Sequence, residues 1–217
     1  MPVAEDRSRR DGPLSRTAVL DAAIALVERD GANALTMRRL GAELGVEAMS
    51  LYHHVPNRDA VLSGMAERLM SQLQPPPKGA GWQDAGEWFA RQLRIVATSS
   101  PQTFALTAMR PLLETRALEP VEALLAALVR AGASPADALM AYRALASYAR
   151  GYALAEVAGF TVDATSADGE GALGALDTDA FPILAGRRDE LRDVRADRAF
   201  DVGLEALIAG LSATLVR

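Results

Sequence analysis

The chain has 217 residues, half of them hydrophobic, with no cysteine and a formal net charge of −5. That length and apolar content suffice for a sizeable core, either as one large domain or as a small one joined to a larger. The lack of cysteine excludes disulfides, thiolate catalysis and cysteine-type zinc sites, and fits a reducing compartment; the acidic total argues against nucleic acid, but a total conceals its distribution.

The opening stretch, MPVAEDRSRRDGPLS, is polar and charged, without the apolar segment of a signal peptide. No apolar run approaches the roughly 18 residues that a membrane span requires, so a soluble, cytoplasmic protein with no membrane partner is expected. Arg7, Arg9 and Arg10 form a basic arm, and Arg38, Arg39 and Arg58 bracket a stretch that holds both histidines. Next, SRTAVLDAAIALVERDG predicts a helix capped by Ser15 and ended by Gly31, with Leu20, Ala23, Ile24 and Val27 on one face. Thr36 caps a second helix through Glu43, and Gly45 breaks it. A third helix is expected from Glu47 to His54, and Asn57 caps a fourth with Val61, Leu62, Met65 and Leu69 inward.

Three prolines in QPPPKGAG, residues 74–81, interrupt the pattern, and divide the chain into expected domains at 1–74 and 75–217. Trp82, Phe89, Leu93 and Val96 then lie on one stripe of an amphipathic helix. Residues 103–110 and 117–131 read as helices separated near Pro111 and Pro120, and Ser134 caps a long helix beginning PADALMAYRALASYARGY. Residues 161–180 are small, polar and glycine-rich and read as a loop; RAFDVGLEALIAGLSATLVR forms the last helix. With almost no strand signal, the fold class is all-α, with about 9–10 helices.

His53 and His54 adjoin one another, so on a helix they point about 100° apart and serve a single metal ion poorly. Helix, glycine turn and short helix at 36–54 instead match the layout of a helix-turn-helix. Gly41 is small where the helices cross, Gly45 frees the turn, and Leu40, Leu44, Val46, Leu51 and Val55 are the apolar contacts. Ala48, Met49, Ser50, Tyr52 and His53 are then outward, short residues toward base edges and aromatic, polar-tipped ones toward phosphates. A helix–glycine–helix is also an ordinary packing motif, and His54 can equally pack on the first helix.

ALTMRRLGAELGVEAMSLYHHVPNRDAVL resembles the DNA-binding segment of the tetracycline repressor (TetR) family of bacterial transcription regulators. The match runs through Thr36, Leu40, Gly45, Val46, Leu51, Tyr52, His54, Val55, Asn57 and Arg58. RPLLE at 110–114, GASPADAL at 132–139 and AFDVGLEALIAGL at 199–211 are similar to the C-terminal domain of the tetracycline-responsive subgroup. The resemblance implies a three-helix DNA-binding domain joined to a larger helical domain for ligand binding and dimerisation. It implies a repressor released from palindromic double-stranded operator DNA by a small-molecule effector. Thr36, Arg38, Ala48, Met49, Ser50, Tyr52, His53, His54 and Arg58 are the expected DNA contacts.

It further implies that helices near 135–158 and 196–215 pair with their symmetry mates in a homodimer, through Tyr148, Tyr152, Gly203, Leu204, Leu207, Gly210 and Leu211. The recurrence of Phe200, Leu204, Leu207, Leu211 and Leu215, with Gly203, Ala206 and Gly210 permitting close approach, fits that role or a plain intramolecular core. Phe89, Gln92, Leu93, Phe104, Met109, Leu112, Leu113, Met140 and Arg143 are candidates to line an apolar cavity with few polar anchors. In tetracycline-responsive members a histidine shortly before the RP pair holds the drug's magnesium; Leu106 stands there and cannot ligate a metal. No cofactor, metal site or catalytic residue is therefore expected. An enzyme ranks last, since only carboxylate chemistry remains and no paired carboxylates stand out. A DNA-binding dimer without an effector stays open.

Overall fold

The computed structural model describes residues 14–111, 115–158, 171, 174–189 and 197–215. Among these residues are ten α-helices and no strand, so the all-α expectation holds. Two compact units result, Met1–Val61 and Leu62–Arg217.

In the first unit, α1 (Arg16–Asp30) begins where the Ser15 hydroxyl accepts the Ala18 N–H at 3.2 Å and ends at Gly31, φ 79°. Thr36 caps α2 (Met37–Leu44) by accepting from the Arg39 N–H at 3.2 Å. Val19, Leu20, Leu26 and Val27 of α1 are buried, together with Leu35, Leu40, Leu51 and Val55. Burial of each such side chain contributes about 1.5–3 kcal/mol relative to exposure.

The third helix is shorter than its expected span of 47–54: α3 covers only Ala48–Leu51. Beyond it the Leu51 carbonyl accepts from both His54 and Val55 N–H groups at 2.9 Å, a tightened turn. Pro56 follows, and a residue before proline is pushed out of helical geometry. Tyr52, His53 and His54 therefore occupy a turn rather than a helix. Asn57 then caps α4 (Arg58–Met70), its side-chain oxygen accepting from the Ala60 N–H at 2.8 Å.

The second unit is organised around α5 (Trp82–Ser99), whose Trp82, Ala85, Phe89, Leu93 and Val96 are buried. Pro101 occupies the first turn of α6 (Pro101–Thr107), where its missing N–H costs nothing. Pro120 does the same inside α7 (Glu119–Arg130) and is not the break expected there. Ser134 opens α8 (Pro135–Ala158) by accepting from the Asp137 N–H at 3.1 Å while donating its hydroxyl to the Asp137 carboxylate at 2.6 Å. The buried face of α8 is nearly all alanine (Ala138, Ala141, Ala149 and Ala153, with Leu145), which allows close helix approach.

A short α9 (Pro182–Gly186) was not foreseen, and α10 (Asp197–Leu215) closes the unit with Phe200 and Leu204 buried. Most of the loop expected at 161–180 lies outside the described residues.

Candidate nucleic-acid interface

Two glycines fix the geometry of the head. A Cβ on Gly41 would sit 2.9 Å from the Val46 carbonyl oxygen, 3.1 Å from the Ala48 nitrogen and 3.2 Å from the Ala48 Cα. All three are backbone atoms of the segment leading into α3, so only glycine lets α2 approach this closely. Gly45 adopts φ 70°, ψ 26°, the left-handed conformation that turns the chain between the helices. Leu40 and Leu51 are fully buried. The result is a helix-turn-helix with α3 held as its second helix.

The outward residues of α3 and its following turn have no apolar cover. Met49 is 70% exposed and Tyr52 44% exposed, an unusual display for residues of that size. His53 is also exposed, Ala48 and Ser50 are half-buried, and His54 is half-buried. Thr36 and Arg38 are exposed at the start of α2.

Charge around the head is mostly committed internally. Arg29 grips the Glu43 carboxylate with two bonds of 2.9 and 3.0 Å and pairs with Asp30, while Arg39 also bonds Asp30. The Arg29 hydrogen bond, with help from the charges of Arg29 and Arg39, holds the Asp30 carboxyl below its usual range, against desolvation. Arg58 donates its Nε–H to the Leu35 carbonyl at 2.9 Å, which steadies the entry to α2 and gives it a structural task besides any DNA contact. Arg38, by contrast, is an exposed guanidinium with no carboxylate partner among the described residues. Sequence reasoning named Arg38 and Arg58 as contacts and left Arg39 out; the pairings of Arg29 and Arg39 join α1 to α2 and leave no local spacing signal.

Residues 19–65 match the family described as bacterial regulatory proteins, tetR family, and residues 74–215 match the tetracyclin repressor-like C-terminal domain. The chain belongs to the TetR family of transcriptional regulators. An HTH-type transcriptional regulator of Saccharopolyspora erythraea is 35% identical to this TetR-family chain over 214 residues, covering 97% of this chain and 89% of that protein. The class A tetracycline repressor protein from transposon 1721 of Escherichia coli is 28% identical, covering 92% and 91%. ActR of Streptomyces coelicolor, solved in complex with actinorhodin, superposes with a TM-score of 0.76 at 27% identity, covering 94% and 98%.

In the C-terminal unit of this TetR-family regulator the seven described candidate ligand residues are not gathered around one cavity. Phe89, Leu93 and Phe104 are buried, with Phe89 edge-on to Tyr142 at 5.8 Å, and Gln92 is half-buried. Met109 is 80% exposed, Met140 49%, and Arg143 is exposed. The cause is helical phase: Ala138, Ala141 and Leu145 of α8 face the core, which turns positions 140 and 143 outward. Leu112 and Leu113 lie outside the described residues. Two openings lie elsewhere. A cleft of about 710 Å³ is lined by Arg91, Arg94, Ile95, Glu156, Asp197 and Phe200, among others, and an apolar groove of about 490 Å³ runs between α7 and the start of α8.

The seven candidate interface residues divide in two. Tyr148 donates its hydroxyl to the Phe200 carbonyl at 2.7 Å, and Tyr152 meets the Phe200 ring edge-on at 5.1 Å. A Cβ on Gly203 would collide with the Tyr148 hydroxyl, and Leu204 is buried. These four act within the chain, so the bareness of Gly203 answers to Tyr148. Gly210 has open space around it, and Leu207 and Leu211 are half-buried at the edge of the core. Val202, Ala206, Ala209, Gly210 and Ala213 of α10 are exposed at helical spacing.

Proposed function

We propose that this chain is a cytoplasmic, homodimeric repressor that binds a palindromic operator and is released by a small, largely apolar effector without a metal ion. The observation that carries the reading is α3 itself. A short helix locked by Gly41 and Gly45 leaves Met49, Tyr52 and His53 exposed, and the guanidinium of Arg38 is exposed at the start of α2. Ala48, Met49 and Ser50 serve base edges; Thr36, Arg38, Tyr52, His53, His54 and Arg58 serve phosphates. The DNA-binding domain is taken as residues 1–74 and the regulatory domain as 75–217, with no catalytic role for either.

A dimer supplies the two-fold symmetry that paired half-sites require, since a lone small reading head binds weakly. The exposed small-residue face of α10, with Leu207, Gly210 and Leu211, is its surface. The actinorhodin complex of the similar ActR supports an aromatic effector, and Leu106 supports binding without magnesium. Phe89, Leu93 and Phe104 are the apolar residues on which such a ligand would be seated once the core opens to admit it. An effector must bind the DNA-incompetent form better than the competent one to shift the balance.

The experiment is fluorescence anisotropy of the chain with DNA from upstream of its own gene, followed by actinorhodin as a probe ligand with and without magnesium. Saturable, competitor-resistant binding that the ligand reverses without metal supports the reading. Binding that no aromatic ligand of a broad panel alters favours the second reading, a DNA-binding dimer without an effector.

A further inference from the structure

Two sets of side chains on α5 lie roughly half a turn apart at about 100° per residue. Phe89 and Leu93 enter the core, whereas Arg91 and Arg94 reach α8 and α10. Arg94 donates Nε–H to one Glu156 oxygen at 2.7 Å and Nη2–H to the other at 2.8 Å, and Nη2 also bonds Asp197 at 2.6 Å. Its guanidinium lies 4.9 Å from the centre of the Phe200 ring and 5.8 Å from that of Tyr152. The Arg94 and Glu156 side chains are only 14% and 9% exposed. Three residues back, Arg91 Nη1 stands 2.8 Å from the Asp201 carboxylate, one turn along α10 from Asp197.

We propose that Arg91 and Arg94 form a clasp by which α5 sets the pitch of α10 against α8, and so shapes the surface offered to a second copy of this chain. The inference rests on the homodimer reading above. Among the described residues, polar links from α10 to its neighbours fall at Asp197, Phe200 and Asp201, and further along Ser212 and Thr214 bond carbonyls of α10 itself. The polar pins thus sit at its first turns, while Leu204, Leu207 and Leu211 continue the apolar packing and the exposed small-residue face extends beyond the pins. A small rotation at the pin swings that face. The pinning helix is also the one that carries Phe89 and Leu93, so the clasp links the helix nearest the proposed ligand seat to the dimer surface. A pair as enclosed as Arg94–Glu156 is costly to break from one side, because the remaining charge is left without a partner.

The test is the dimer dissociation constant, measured by sedimentation equilibrium on the full chain with circular dichroism as the check on folding. Arg91→Asp and Asp201→Arg, whose side chains are 43% and 39% exposed, are made singly and together on a Glu87→Gln background, because Glu87 also pairs with Arg91 at 2.8 Å. Each single reversal is expected to weaken the dimer about tenfold with helix content retained, and the double reversal to restore most of the loss. Arg94→Met is expected to weaken it further; should that variant fail to fold, the Arg91–Asp201 cycle decides. Dissociation constants unchanged within about twofold, or a lower melting temperature with no change in association, would overturn the clasp and leave the dimer standing. A wild-type chain that stays monomeric would overturn both.

Discussion

Gly41→Ala adds a single methyl group at the point where α2 meets the segment entering α3. That methyl would lie 2.9 Å from the Val46 oxygen and 3.1 and 3.2 Å from two Ala48 backbone atoms. No flexible side chain can yield, so α3 must move away by about half an ångström to restore ordinary contact distances. Overpacking of this kind costs about 1–3 kcal/mol, and the higher helix propensity of alanine returns about 1 kcal/mol, for a net loss of about 0–2 kcal/mol in the head. Binding should suffer more than stability. Base-edge contacts worth about 1–3 kcal/mol each depend on the position of Ala48, Met49 and Ser50, so operator affinity is expected to fall at least about tenfold.

Gly45→Ala is the control. It has open space around it and a φ of 70°, so it strains the turn by about 1–2 kcal/mol without pushing α3. Trp82 and Trp88 both lie in the second unit, so stability of the head is read from hydrogen exchange of α1–α3 amides. Affinity is read by anisotropy. Equal binding losses for the two variants, or undiminished binding by Gly41→Ala, would refute the reasoning.

His53→Ala and Tyr52→Phe are each expected to cost about 1–3 kcal/mol of operator binding with little change in melting, and a chelator to change nothing; loss of binding on chelation would show a metal. Gly210→Leu or Leu207→Asp should yield monomer or aggregate by light scattering, whereas Gly203→Leu should destabilise the fold itself by colliding with Tyr148. Asp30, whose carboxyl is held low chiefly by Arg29, contributes stability above its ordinary value of 3.8 and loses it as pH falls through the lower folded value. Asp30→Asn should therefore flatten the acid limb of the head's unfolding curve, and an unchanged limb would show that the pairing has no such effect.

Local chemistry explains what was readable in advance. Ser15, Thr36, Asn57 and Ser134 announce helix starts because a capping side chain acts three residues away, and Gly41 and Gly45 announce the helix-turn-helix because the first has no room for a Cβ and the second takes a left-handed φ. The end of α3 was misjudged because apolar spacing continued to Val55 while Pro56 and the Leu51 carbonyl had already closed the turn. Placement of Met140 and Arg143 needed the phase of α8, which its alanine face sets only in packing against the surrounding helices. Arg94 was invisible, since its partners lie 62 and 103 residues away and ion pairs at that range leave no periodicity. Gly203 signalled close approach correctly, but the approaching group, Tyr148, belongs to the same chain.

The central claim is tested most directly by titrating the chain into labelled DNA from upstream of its own gene, in excess competitor DNA, while counting chains per duplex by analytical ultracentrifugation. The account predicts a saturable complex with a dimer on each palindromic site, lost with Met49 and Arg38 replaced by alanine and reversed by a metal-free aromatic ligand. A chain that binds no fragment better than the competitor would contradict it.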